Sequence, residues 1–152
     1  MFYIIEKHIV TIFLCLEVYT MITFTDKRYF SQQHLQDLFK SVQWLSADYP
    51  ERLYKALNNC ETVFTAWDND RLVGLINAID DSELTAYIHY LLVRPEYQNN
   101  GIGKELLRMV RDKYKNYLYI ELIAESQELI GYYEKNGFNN VQGVYVMGIM
   151  NK

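Results

Sequence analysis

The stretch VRPEYQNNGIGKELL, residues 93–107, decides how this chain is read. It stands between a strand-like run and an amphipathic helical run. Gly101 and Gly103 at such a junction let the backbone come close to a ligand. The first N–H groups of the helix lack intrahelical partners, and together with the helix dipole they favour an anion. Lys104, in the first helical turn, adds positive charge. A phosphate or pyrophosphate fits these features, although a glycine turn with no ligand fits the spacing equally. Two better-known phosphate motifs do not fit. The dinucleotide pattern GxGxxG fails because Leu106 stands where its third glycine belongs. The P-loop pattern fails because Glu105 follows Lys104 and residue 98 is Gln.

Working outward, the residues before the stretch alternate like strands. Residues 21–25 read as a first strand, and Ser31 as the N-cap of a helix carrying Leu35, Leu38, Phe39 and Val42 at helical spacing. Pro50 suits the first position of a second helix with Leu53, Ala56 and Leu57 inward. Residues 62–67 and 71–79 form a hairpin about the turn Asp68-Asn69-Asp70, and residues 84–93 form a long strand. After the glycine turn come a helix over 103–115, a buried strand over 117–124 and a helix over 127–136. In that last helix Leu129, Ile130 and Tyr133 are expected to face inward. Gly137 follows as the C′ residue, and residues 144–150 read as a closing strand. Strand, helix and strand across 84–124 make a βαβ unit, which favours parallel pairing. The expected fold is therefore α/β: a mixed sheet, antiparallel in its N-terminal strands, with a central parallel βαβ unit and flanking helices.

Length and composition agree with this. At 152 residues, 50% hydrophobic and 22% charged, the chain is one domain with enough length for a core. A net charge of −4 argues against nucleic acid as a partner. The two cysteines, Cys15 and Cys60, form no metal or redox motif and read as free thiols. His8, His34 and His89 are dispersed, so no metal is expected. Residues 1–20 are read as an extension, with residues 21–152 as the single domain and Met21 as a natural start. The apolar run 9–16 is too short to span a membrane, which needs about 20 apolar residues. It also lacks a signal-peptide cleavage site. A cytoplasmic protein is expected, and a homodimer is left open.

Residues 93–107 resemble V-x-P-x-[FY]-[RQ]-x-x-G-[IL]-G, the most specific stretch of the GNAT superfamily of N-acetyltransferases. Tyr133-Glu-Lys-Asn-Gly-Phe138 is similar to that family's Y-x-x-x-G-F, and Arg71-Leu-Val-Gly74 to its "lvG" strand. The resemblance covers residues 21–152 and implies acetyl-CoA as cosubstrate, with an amine, small or on a protein, as acceptor. It implies that the backbone of Leu92 and Val93 holds the thioester end and pantetheine arm. The N–H groups of Gln98, Asn99, Asn100, Gly101, Ile102, Gly103 and Lys104 would cradle the pyrophosphate. Tyr133 would act as general acid for the leaving thiolate. Tyr132, about 100° further round the helix, reads as core.

A base must take the amine proton. Many family members carry a glutamate where this chain has Tyr87. With unbroken alternation, His89 shares a strand face with Tyr87, Leu91 and Val93, and its ordinary pKa suits a base. Glu121, on the next strand, is the second choice. Asp80, Asp81 and Glu83 read as a solvated turn. The alternative function is a non-catalytic acyl-CoA-binding or interaction domain of the same fold.

Overall fold

The computed structural model describes residues 21–149. Residues 1–20, on which the extension reading falls, lie outside them. Five strands form one sheet in the order β1-β2-β3-β4-β5: β1 (Thr23–Thr25), β2 (Thr62–Asp68), β3 (Arg71–Asp80), β4 (Thr85–Val93) and β5 (Tyr119–Leu122). The first four pair antiparallel and β4 pairs parallel with β5, which is the mixed sheet expected. Four α-helices accompany it: α1 (Gln32–Ser41), α2 (Pro50–Asn59), α3 (Ile102–Lys113) and α4 (Gln127–Lys135).

Helix boundaries follow local chemistry. The Ser31 hydroxyl accepts the His34 N–H at 3.2 Å, and His34 Nδ1 accepts the Ser31 N–H at 3.2 Å. This is a capping box with histidine in place of the usual Glu or Gln. Pro50 opens α2. Ser126 caps α4 by accepting the Leu129 N–H at 3.3 Å.

The sheet is filled from both faces. On one, Leu35, Leu38 and Phe39 of α1 and Leu53 and Leu57 of α2 pack against Val63, Trp67, Leu72, Leu75 and Leu92. On the other, Ile102, Leu106, Leu107 and Val110 of α3 pack against Ala66, Val73, Ile76, Ala86 and Ile88. Each fully buried Leu or Ile there stabilises the fold by about 1.5–3 kcal/mol. Tyr114, 1% exposed, closes this layer. Its hydroxyl lies 2.5 Å from Thr62 Oγ1 and donates to Asp80 Oδ2 at 2.6 Å, tying α3 to β2 and β3.

The acidic turn after β3 is a structural device. Asp81 Oδ1 accepts the N–H groups of Glu83, Leu84 and Thr85 at 3.0, 2.7 and 3.0 Å. Those backbone hydrogen bonds hold its pKa below the ordinary 3.8.

Four sequence expectations need correction. Residues 144–149 form no strand, and Val144, Tyr145, Val146, Met147 and Ile149 are exposed. Their β-propensity is not realised, although β1 and β5 each leave an outer edge unpaired among the described residues. β5 is four residues long and Tyr119 and Glu121 are exposed, so it is an edge strand rather than a buried one. Leu129 is exposed, while Ile130 and Tyr133 are half-buried. Finally, the alternation of β4 is broken, with consequences for the site.

Candidate active site

The break in β4 is a bulge. Asn77 of β3 pairs with Tyr90, but its neighbour Ala78 pairs with Ile88, leaving His89 as the extra residue. Ala86 and Ile88 therefore share the α3 face with Leu91 and Val93, while Tyr90 and Leu92 join the core on the opposite face. The expectation of one face for Tyr87, His89, Leu91 and Val93 is thus wrong. An inserted residue shifts the period-two pattern by one.

The same region is where two strands part. β4 and β5 pair from Thr85↔Tyr119 to Ile88↔Leu122 and no further, although β4 continues to Val93. From His89 to Val93, the edge of β4 that faced β5 has no strand partner. Its backbone donors and acceptors form an open ladder. Leu92 and Val93 lie at the end of that ladder, as the sequence implied. On the other edge Leu75 and Gly74 of β3 pair with them. The Val93 carbonyl accepts the Gln98 side-chain amide at 3.0 Å.

The open edge runs into the glycine turn. Pro95–Tyr97 form a single 3-10 turn, and Gln98 is extended. Asn99 and Gly101 both take positive φ, 63° and 80°. These angles swing the chain into α3. Unlike α1 and α4, α3 has no side-chain cap. The first intrahelical bond is Glu105 N–H to Gly101 C=O at 3.0 Å, leaving the N–H groups of Ile102, Gly103 and Lys104 without intrahelical acceptors. Uncapped donors, a helix dipole and Lys104 at one place make a ready anion cradle. Gly103 is required by close approach: a Cβ there would stand 2.7 Å from the Tyr132 hydroxyl oxygen.

Tyr132 packs against the core layer of α3, as expected, and is half-buried there, with its hydroxyl reaching the first turn of α3. Tyr133 packs edge-on against Tyr132 and Phe138, at ring-centroid distances of 5.4 and 5.8 Å. Burial, aided by Tyr132 and the Glu125 carboxylate, pushes its pKa up to about 12. The Tyr133 hydroxyl is thus held protonated at neutral pH.

His89 stacks on Tyr90 with ring centroids 4.0 Å apart and lies 6.3 Å from the Tyr87 ring. His89 is exposed at the bulge, and partial loss of hydration against its neighbours lowers its pKa below the ordinary 6.5, so it is neutral and able to accept a proton at pH 7. Glu121 pairs in register with Tyr87 across the last part of the β4–β5 ladder and is exposed. Burial and the charge of Glu125 raise the Tyr87 pKa. Glu125, which the sequence reading passed over, therefore acts on both Tyr87 and Tyr133. Its signal was available in its position immediately before the N-cap of α4. No cluster of His, Cys, Asp or Glu fit to hold a metal occurs among the described residues.

An open strand edge leading to an uncapped, glycine-lined helix N-terminus defines a site for an extended ligand ending in phosphates. The chain belongs to the Acetyltransferase (GNAT) family, whose model matches residues 29–138. Among curated relatives, an uncharacterized ycf52-like N-acetyltransferase from Prochlorococcus marinus is 34% identical over 103 residues, 62% of this chain and 56% of that protein. The chain thus spans little more than half the length of that relative. A second, uncharacterized N-acetyltransferase ycf52 from Gracilaria tenuistipitata, is 24% identical over 126 residues, 77% of this chain and 69% of that one. Among solved structures, a GNAT-family acetyltransferase from Streptococcus pneumoniae superposes with a TM-score of 0.75 at 27% identity. That match covers 87% of this chain and 99% of the other. AAC(6′)-Iy, solved with the bisubstrate analogue CoA-S-monomethyl-acetylneamine, shares the fold at a TM-score of 0.67 and 14% identity, over 86% and 99% of the two chains.

Proposed function

We propose that this protein transfers the acetyl group of acetyl-CoA to a primary amine, on a small molecule or a protein, by direct attack in a ternary complex. The observation that carries the reading is the parting of β4 and β5 after Ile88, with the uncapped start of α3 at its end. The residues present suit acetyl-CoA: a pantetheine arm carries amides that match an open strand edge, and a pyrophosphate matches free helix N–H groups. The structural likeness to AAC(6′)-Iy, solved with a CoA bisubstrate analogue, agrees with this at the level of fold.

Bound there, acetyl-CoA supplies the activated acyl thioester. The backbone of Leu92 and Val93 aligns the thioester end, and an N–H of that strand meets the carbonyl oxygen where negative charge develops. Gln98, Asn99, Asn100, Gly101, Ile102, Gly103 and Lys104 hold the phosphates. The amine nitrogen forms the new bond to the acyl carbon as the C–S bond breaks. His89, neutral at pH 7, takes the amine proton, directly or through water, with Glu121 as the second choice. Tyr133 is the general acid: it donates a hydrogen bond to the departing thiolate, and because burial pushes its pKa up to about 12, complete transfer of the proton is uphill. Selectivity for the acceptor is assigned to the α1–α2 segment, which lies over the same face of β4 as Tyr90.

The test is release of free CoA from acetyl-CoA across an amine panel, with acetyl-CoA affinity measured in parallel. Turnover with at least one amine is the expected result. Tight binding without turnover on any amine would move the protein to the non-catalytic acyl-CoA-binding class. Failure to bind acetyl-CoA at all would overturn both readings.

A further inference from the structure

A cavity of about 810 Å³ lies outside the acyl site, between α1 and the β2–β3 turn. α1 contributes His34, Asp37 and Lys40 at three-residue spacing, which places them on one helix face. The turn contributes Asp68, Asp70 and Arg71, and Leu72 and Arg94 complete the wall. No lining residue comes from β5, α4 or the glycine turn.

Arg94 is the unusual member. It is only 9% exposed, yet the sole hydrogen bond of its side chain among the described residues is from Nε to the Leu72 carbonyl at 2.8 Å. No carboxylate lies within salt-bridge distance of it there, whereas the neighbouring Arg71 is paired with Glu96 at 2.5 Å. Its two terminal nitrogens, with their fork of donors, have no protein acceptor. The terminal nitrogens meet only solvent at the cleft surface, with Asp37 and Glu96 acting on them from beyond hydrogen-bond distance, and a planar carboxylate is the group their fork matches. Lys40 also lacks a partner among the described residues.

The carboxylates are unequally occupied. Asp68 accepts the Tyr97 hydroxyl at 2.6 Å and the Asn69 amide at 3.0 Å. Asp37 accepts the Gln33 amide at 2.8 Å. Asp70, exposed at the tip of the turn, accepts no hydrogen bond among the described residues. One cavity thus offers an unmatched cation at its wall and an unmatched anion at its rim. A phosphate dianion would meet three carboxylates, and a simple cation would meet Arg94. A molecule bearing both charges satisfies each end.

We propose that this cavity binds a small zwitterion of the α-amino-acid class, its carboxylate on the terminal nitrogens of Arg94 and its ammonium toward Asp70 and Asp37. The site is separate from the acyl-CoA groove, so occupancy of one does not require the other to be empty.

Isothermal titration of the full chain with the free α-amino acids tests this, run with and without saturating acetyl-CoA. The matching amino-acid amides, the N-acetyl amino acids and inorganic phosphate are the controls. At least one amino acid is expected to bind, with both blocked forms and phosphate at least tenfold weaker, and acetyl-CoA leaving the affinity within about twofold. Arg94→Met should weaken binding tenfold or more. Asp70→Asn should weaken it and lessen the preference over the N-acetyl form. Should Arg94→Met fail to fold through loss of the Leu72 bond, Arg94→Lys keeps the charge without the fork, and the same weakening is expected. Absence of amino-acid binding, phosphate binding of equal strength, displacement by acetyl-CoA, or affinity unchanged in the Arg94 and Asp70 variants would each overturn the proposal.

Discussion

Tyr133 and His89 sit at opposite ends of the proton inventory. The tyrosine is held protonated by burial, and the histidine is held neutral by loss of hydration. Tyr133→Phe should lower kcat by tenfold or more, an effect of about 1.4 kcal/mol or above on the barrier. The KM for acetyl-CoA should stay within about twofold. Steady-state kinetics with the preferred amine checks this, and unchanged kcat would remove Tyr133 from the mechanism. For His89 the sign is set by its lowered pKa. The base form persists to more acid pH than for an ordinary histidine, so the acid limb of kcat/KM should fall below pH 6.5. His89→Gln should abolish that limb and reduce the plateau. A surviving limb would pass the role to Glu121. At this scale the sequence was informative about Tyr133, because its motif carries both position and residue type. It was poor on His89, because the bulge that reorients it arises from pairing with β3 and leaves no local signature. It placed Tyr132 against the core but could not show that Gly103, in another helix, makes room for its hydroxyl.

Among the elements, the N-terminus of α3 is the one whose legibility was highest. Gly101 at φ 80° and Gly103 beneath the Tyr132 hydroxyl were both visible as glycines before the geometry was known. They act differently. Gly101→Ala strains a left-handed residue by about 1–2 kcal/mol. Gly103→Ala instead drives a methyl group against Tyr132, so the first turn of α3 or the tyrosine must shift. Gly103→Ala is expected to raise the Kd for acetyl-CoA about tenfold, read by titration, with a small loss of thermal stability. Adding Tyr132→Phe removes the oxygen that clashes and should restore part of the affinity. No recovery in the double variant would mean that the glycine matters for another reason. The strand expected over 144–150 shows the opposite case. Val144, Tyr145, Val146 and Met147 have strand-like composition, yet they pair with neither outer edge of the sheet, so propensity without packing partners did not make a strand.

For the whole molecule, two helical layers enclose a sheet whose order follows the chain. Sequential order and short connections made the architecture readable from periodicity and the motifs alone, down to the parallel β4–β5 pair. The layers are locked at one polar point that periodicity could not show, where Tyr114 bridges Thr62 and Asp80. Tyr114→Phe should destabilise the fold by about 1–3 kcal/mol, because buried Thr62 and half-buried Asp80 lose their hydrogen bond to it. Chemical denaturation measures this, and the denaturant slope should be unchanged. A loss below about 0.5 kcal/mol would show that Thr62 and Asp80 find other partners.

The parting of β4 from β5 has a kinetic consequence. A sheet with a gap is completed only when an extended molecule fills it, and the wall that faces the acceptor is then partly made of the donor itself. On the proposed function, compulsory order is the expected outcome: the acyl donor enters first and the free thiol leaves last. Those backbone amides of residues 89–93 that face the open edge rather than β3 should therefore exchange with deuterated solvent freely in the bare protein. They should slow markedly with acetyl-CoA and stay unaffected by the amine added alone.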